Sequence, residues 1–104
     1  MLRIFSVKQG DQFSFTVTFT NLTEDLTTFN LGVKLDYNEQ MLIQKSLGNG
    51  ISKIATGKYK IDFTPEETAA LQPNYYVYDL RMTLEDIVYT PLYGYLIIQE
   101  TVFE

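Results

Sequence analysis

The stretch Thr64–Met82, TPEETAALQPNYYVYDLRM, decides the fold class. Its first four residues form a capping box: the Thr64 hydroxyl can accept from the Glu67 amide, while the Glu67 carboxylate reaches back to the Thr64 amide. Pro65 suits the first helical position, where its missing amide proton costs nothing, and two acids there meet the positive end of the helix dipole. Pro73 halts that helix, so about two turns fit between Thr64 and Leu71 at most. Period two then takes over, with Tyr76, Tyr78, Leu80 and Met82 on one face and Tyr75, Val77, Asp79 and Arg81 on the other, which predicts a strand.

The chain of 104 residues is expected to form one domain over residues 1–104, large enough for a real core but not for two. A hydrophobic content of 45% with 20% charged residues is ordinary globular composition and argues against disorder. Eight tyrosines and seven phenylalanines favour pleated, half-buried positions, so sheet is the first expectation. Without cysteine there is no disulfide, thiolate metal site or thiol nucleophile. The lack of histidine is more restrictive, because it removes the commonest metal ligand and general base, and most hydrolase schemes with it. No cofactor is implied. A net charge of −5 offers phosphates no cationic face, so nucleic acid is not an expected partner. No run approaches the roughly 20 apolar residues that span a bilayer, and the opening MLRIFSVKQG lacks the pattern of a signal peptide; a membrane partner is not expected either.

Upstream of the deciding stretch, Leu2–Val7 is a short apolar segment ending in the turn signal Gln9-Gly10-Asp11, and reads as an edge strand. Gln12–Thr20 alternates most cleanly: Phe13, Phe15, Val17 and Phe19 form a core face against Gln12, Ser14, Thr16 and Thr18. A polar turn is expected over Asn21–Asp25. Asn21-Leu22-Thr23 matches the N-glycosylation pattern, but that reading needs a secretory signal. Leu31, Val33 and Leu35 predict a third strand, and Met41–Gln44 its return through a plain turn at Asp36-Tyr37-Asn38-Glu39, which lacks the glycine and bidentate acid of a calcium loop.

Gly48-Asn49-Gly50 is the strongest turn signal. No helix start or lysine follows it at phosphate-loop spacing; a strand pattern, Ile51–Ile54, does. Lys58–Phe63 places Tyr59, Ile61 and Phe63 inward. After Met82, Glu85-Asp86 marks a turn, and Ile87–Val102 reads as a long strand in which Pro91 should mark an edge, bulge or bend. From Tyr93 both parities are apolar, which predicts burial on both faces.

Seven or eight short strands with regular turns predict an all-β antiparallel sandwich; a barrel is the alternative. A strand, a short helical turn near residues 65–71 crossing the end of the sandwich, and a strand opening with tyrosines favour the immunoglobulin-like version. In such domains a tyrosine near the start of the penultimate strand bonds back to the crossing, and Tyr76 and Tyr78 are the candidates.

The segments QGDQFSFTVTFTN (Gln9–Asn21), DLTTFNLGVKL (Asp25–Leu35), GKYKI (Gly57–Ile61), TPEETAALQPNYYVYDLRM and LYGYLIIQETV (Leu92–Val102) together resemble small bacteriophage and prophage structural proteins. They are also similar to the immunoglobulin-like N-terminal domain of phage baseplate upper proteins. Thr28 and Asn74 stand where that family more commonly has glycine; Asn74 can adopt the positive φ such a site needs, whereas Thr28 fits poorly. The resemblance implies a virion or tail-associated structural domain with no catalytic site, other virion proteins or a second copy as partners, and a location in the virion or, before assembly, in the bacterial cytoplasm.

The expected function is therefore a non-catalytic structural or assembly role exerted through protein contacts. The candidate interaction patch is Tyr75, Val77, Tyr93, Tyr95 and Ile97, which share an outward face if the last two strands pair. A carbohydrate- or receptor-binding sandwich is the alternative, using surface tyrosines and turn acids such as Asp36, Glu39, Glu85 and Asp86. An enzyme is not expected, because the acids are scattered over turns and no pair sits in an apolar setting suited to acid–base work.

Overall fold

A computed structural model describes residues 1–103 except 21, 23 and 25. The strands are β1 (Leu2–Lys8), β2 (Phe13–Thr18), β3 (Thr28–Lys34), β4 (Met41–Leu47), β5 (Gly50–Ala55), β6 (Lys58–Phe63), β7 (Asn74–Leu84) and β8 (Ile87–Gln99), with one helix, α1 (Pro65–Ala70), between β6 and β7. Hydrogen bonds link the strands in the order β1-β8-β7-β3-β4-β5-β6-β2. The β4–β5 link is short and parallel: it joins Ser46 to Gly50 and Leu47 to Ile51 around the Gly48-Asn49 corner. There the continuous eight-stranded sheet folds over from one layer to the other. Phe5 on β1 and Phe15 on β2, on the two ends of the order, stack with ring centroids 4.4 Å apart, so the strands β1-β8-β7-β3-β4 lie over β5-β6-β2 as two layers.

Alternation supplies the core between the layers. Phe29, Leu31 and Val33 from β3, Tyr59, Ile61 and Phe63 from β6, Leu80 from β7 and Leu96 and Ile98 from β8 are buried there. The Phe29 and Tyr59 rings meet edge to face at 5.1 Å across the layers. Leu35 is not part of this core. β3 ends at Lys34, one pair beyond a register shift at Val33/Lys34, and leaves Leu35 exposed; at its other end the strand starts from Thr28, whose β-branched side chain suits extended backbone. Asn74 likewise opens β7 without positive φ, its side-chain oxygen accepting from the Tyr75 amide at 2.7 Å. The left-handed residues sit instead at Glu85 and Asp86, which turn β7 into β8. Pro91 lies where the β7–β8 register shifts between Leu80 and Met82, the bulge its missing donor requires. The Asn21-Leu22-Thr23 motif and the Asn21–Asp25 turn rest on Asn21, Thr23 and Asp25, which lie outside the described residues.

The capping box forms as read: Thr64 Oγ1 accepts from the Glu67 amide at 3.2 Å and Glu67 Oε1 from the Thr64 amide at 2.8 Å. The far end of α1 is closed from a distance. Gln9 Nε2 donates to the carbonyls of Ala69 (3.1 Å) and Leu71 (2.9 Å), which the short helix leaves without partners. Thr68, the helix's buried residue, donates to the Asp11 carbonyl at 2.8 Å and accepts from the Gly10 amide at 3.1 Å. The crossing is thereby fastened to the β1–β2 turn.

Tyr76 closes the tyrosine corner, its hydroxyl donating to the Gln72 carbonyl at 2.6 Å. Tyr76→Phe should cost about 1 kcal/mol in urea unfolding; an unchanged midpoint would mean that the corner bond contributes nothing. Tyr78 has a different task. Its hydroxyl donates at 2.8 Å to the Arg3 carbonyl on β1, reaching across β8 at Gly94, the residue paired with both. Burial pushes the Tyr78 phenol up to about 12, so it stays a donor at ordinary pH.

Lys45 occupies an inward position at the edge of β4 and extends to α1, where its ammonium meets both Glu67 oxygens at 2.5–2.6 Å beside the Phe63 ring. Partial burial acts to raise the Glu67 carboxyl, but the bonds from Lys45 and Thr64 outweigh it and hold the group below the usual carboxylate range. The folded state therefore binds this proton more weakly than the unfolded chain. Its stabilising contribution is complete above the ordinary glutamate pKa and is lost as pH falls through the lowered value. Unfolding free energies of wild type and Glu67→Gln should converge from about pH 7 to about pH 3; a gap that stays constant with pH would contradict this.

Candidate functional site

The candidate patch lies on the outer face of the five-stranded layer. Register assembles it: Tyr75 pairs with Ile97, Val77 with Tyr95 and Asp79 with Tyr93, so the outward residues of β7 and β8 stand side by side. The Tyr75 and Tyr95 rings meet edge to face at 6.5 Å. Tyr75 is 63% exposed, Tyr93 and Tyr95 are also exposed, and Ile97 is half-buried. Val77 shares the face but is only 9% exposed, flanked in the sheet by Tyr95 and Lys34, so it supports the patch rather than presenting itself.

Apolarity at both parities predicted cover on both sides of β8, yet Tyr93 and Tyr95 on its outer face are exposed among the described residues. The N-terminal strand, which could have lain over the tyrosines, instead pairs in parallel with the edge of β8. This pairing enlarges the patch, because Leu2 stands beside Tyr93 and Ile4 beside Tyr95, both more than half exposed. Leu2 and Ile4 were not among the residues expected here. Their parity, opposite to Phe5 and Val7, marked them as outward, but nothing local marked β8 as their neighbour.

Tyr37, in the β3–β4 turn, and Met41, the first residue of β4, flank this surface on its other side. Met41 packs over Gly32, where even a methyl group would lie 2.7 Å from its sulfur. The Tyr37 ring lines one groove with Val77 and Asp79, and burial, then the Asp79 charge, raise its phenol. Between Tyr37, Met41 and β7 the face dips into a shallow groove of about 260 Å³, with Asn30, Lys34, Gln44, Asp79 and Arg81 as its polar lining. Leu2, Ile4, Tyr93, Tyr95 and Tyr75 thus form an apolar, tyrosine-rich band across β1, β8 and β7, with Tyr37 and Met41 beyond the groove. Among the described residues no three Asp or Glu side chains gather as a metal site, and no helix is long and apolar enough to cross a membrane.

No protein-family model matches the sequence, and no curated protein matches it. Solved structures do. The chain aligns over 96% of its length with 84% of a chain in the ZIG-8–RIG-5 IG1–IG1 heterodimer (TM-score 0.53, 12% identity). It aligns over 97% with 85% of the extracellular domain of mouse leukocyte-associated immunoglobulin-like receptor 1, crystallised as a strand-swapped dimer (TM-score 0.55, 10% identity). Over 91% of both chains it aligns with the swine CD8αα homodimer (TM-score 0.54, 10% identity).

The fold is immunoglobulin-like. At these identities the likeness concerns architecture alone. In immunoglobulin-like terms, β7 and β8 with their partners β3, β4 and β1 form the larger sheet, and the tyrosine band is its outer face.

Proposed function

We propose that the protein is a non-catalytic contact module that binds another protein through the outer face of β1, β8 and β7. The observation that carries this reading is the register that brings Leu2, Ile4, Tyr75, Tyr93 and Tyr95 onto one uncovered face. A monomer rarely exposes so continuous an apolar surface without using it, and tyrosine is enriched at interfaces because it supplies rigid area with a polar tip. That similar folds occur in homo- and heterodimers supports protein partners in general.

The finer reading, a component of a phage or prophage particle contacting other virion proteins, rests on the sequence resemblance. In that reading the chain resides in the virion, or in the bacterial cytoplasm before assembly. Head or tail genes flanking its own support it, and a metabolic operon speaks against it. The test is binding to the purified products of those neighbouring genes, wild type against a Tyr93→Ala/Tyr95→Ala double variant. A complex weakened at least about thirtyfold in the variant, the effect of one lost interface anchor, supports the reading. A complex formed equally by both contradicts it.

A second reading is favoured by the groove, where the Tyr37 ring and the polar groups of Asn30, Gln44, Asp79 and Arg81 could hold a sugar or another small polar ligand. Glycan-array binding that disappears in Tyr37→Ala supports it; an empty array at high protein concentration removes it.

A further inference from the structure

The edge of the smaller layer is open, and it differs from the other terminal edge of the fold. β2 ends the strand order, paired with β6 on one side only. The Phe19 amide donates to the carbonyl of the directly opposite Gly57 at 2.7 Å. In an antiparallel ladder this fixes the parity: Phe13, Phe15 and Val17 bond to β6, while the amides and carbonyls of Ser14, Thr16 and Thr18 point away from it. Among the described residues no backbone group answers them, and all three side chains are exposed. Open edges usually carry lysine, proline or a bulge that deters another strand. β1, at the other end of the order, carries Arg3 and Lys8. Gln12–Thr20, QFSFTVTFT, has no charge and no proline, and its ladder with β6 runs without a register shift.

We propose that β2 is a strand-addition site for a second copy of this chain, the two β2 strands pairing antiparallel about a twofold axis through Thr16. The strand is complementary to itself in that register. Thr16 faces Thr16 and Ser14 faces Thr18, favourable hydroxyl pairs whose outward backbone groups exchange hydrogen bonds. On the inner face Phe15 comes opposite Val17 and Phe13 opposite Phe19, so the apolar layer continues across the joint. Charge favours this meeting place too: the chain carries a net −5, yet no charged residue of β2 opposes its twin. Lys60, paired with Thr16 one strand inward, would lie about 14 Å from its counterpart, beyond the screening length of about 8 Å at physiological salt. The contact is isologous and closed, and it lies on the layer opposite the tyrosine band, so it does not rest on the function proposed above.

Sedimentation equilibrium from about 10 μM to about 1 mM, with amide hydrogen exchange at both ends of that range, tests the proposal. The expected result is a dimer whose formation slows exchange at Ser14, Thr16 and Thr18. Thr16→Lys, which sets two ammonium groups face to face at an exposed position, should weaken it at least about tenfold. The Tyr93→Ala/Tyr95→Ala variant should dimerise as the wild type does. A wild-type monomer at about 1 mM overturns the proposal. So does a dimer indifferent to Thr16→Lys, or one in which those three amides gain no protection; the exchange measurement needs only wild type and decides even if the variant fails to fold.

Discussion

Replacing Gly94 with alanine is expected to destabilise the protein by about 2–4 kcal/mol, the sum of about 1–3 kcal/mol for a strained backbone and about 1 kcal/mol for a lost hydrogen bond. Gly94 sits in β8 with φ 149°, a conformation that side-chain-bearing residues rarely adopt. A methyl group there would lie within contact-forbidden distance of the Arg3 carbonyl oxygen, the atom that accepts from the Tyr78 hydroxyl. The substitution therefore strains β8 and pushes β1 outward, removing the bond that fastens β1 to β7. Thermal unfolding by circular dichroism should show a fall of roughly 15 °C for a chain of this size. A fall corresponding to less than about 1 kcal/mol would show that β1 is not held in this way. Because β1 supplies Leu2 and Ile4 to the outer face, the variant should also lose affinity for any partner bound there.

Phe15→Ala carries the second large expected effect, about 3–5 kcal/mol. The Phe15 ring is nearly buried, stacks on Phe5 at 4.4 Å and lies 5.9 Å from Phe13, so it joins the two layers where the chain makes no hydrogen-bonded link between β1 and β2. Removing it opens a cavity between layers that cannot easily collapse, since Phe5 is tied by the β1–β8 ladder and Phe13 by the β2–β6 ladder. Urea unfolding of Phe15→Ala beside Thr16→Ala, an exposed neighbour expected to change stability by less than about 0.5 kcal/mol, separates layer packing from strand propensity. Equal costs at both positions would contradict the two-layer assignment.

The contrast between these sites shows what the sequence could carry. Local chemistry was legible: Thr64-Pro65-Glu66-Glu67 announced its cap, Lys58–Phe63 its buried parity, and the crossing followed by Tyr76 its corner. Each depends on residues close in the chain. The inward face of Gln12–Thr20 was legible for the same reason. Neighbours distant in sequence were not, because period two says which side chains share a face but not which strand lies beside them. Thus the pairing of Leu2 with Tyr93, which adds β1 to the patch, had no sequence signal, and neither did the reach of Lys45 to Glu67 or of Tyr78 to Arg3. Tyr93–Ile98, apolar at both parities, read as covered on both sides; only the edge-on placement of β1 leaves Tyr93 and Tyr95 open. Leu35 fell out of the core because β3 ends at Lys34, one pair beyond a register shift that no proline marks.

The reading of the protein as a contact module rests on one face of one sheet, and a comparison between faces tests it most directly. Binding to a neighbouring-gene product should be measured for wild type, for Tyr93→Ala/Tyr95→Ala, and for Lys58→Ala/Lys60→Ala on the outer face of the smaller layer. A contact through the tyrosine band predicts loss of at least about thirtyfold in affinity for the first variant and less than about threefold for the second. Equal affinity across all three proteins, or loss confined to the lysine variant, would contradict it.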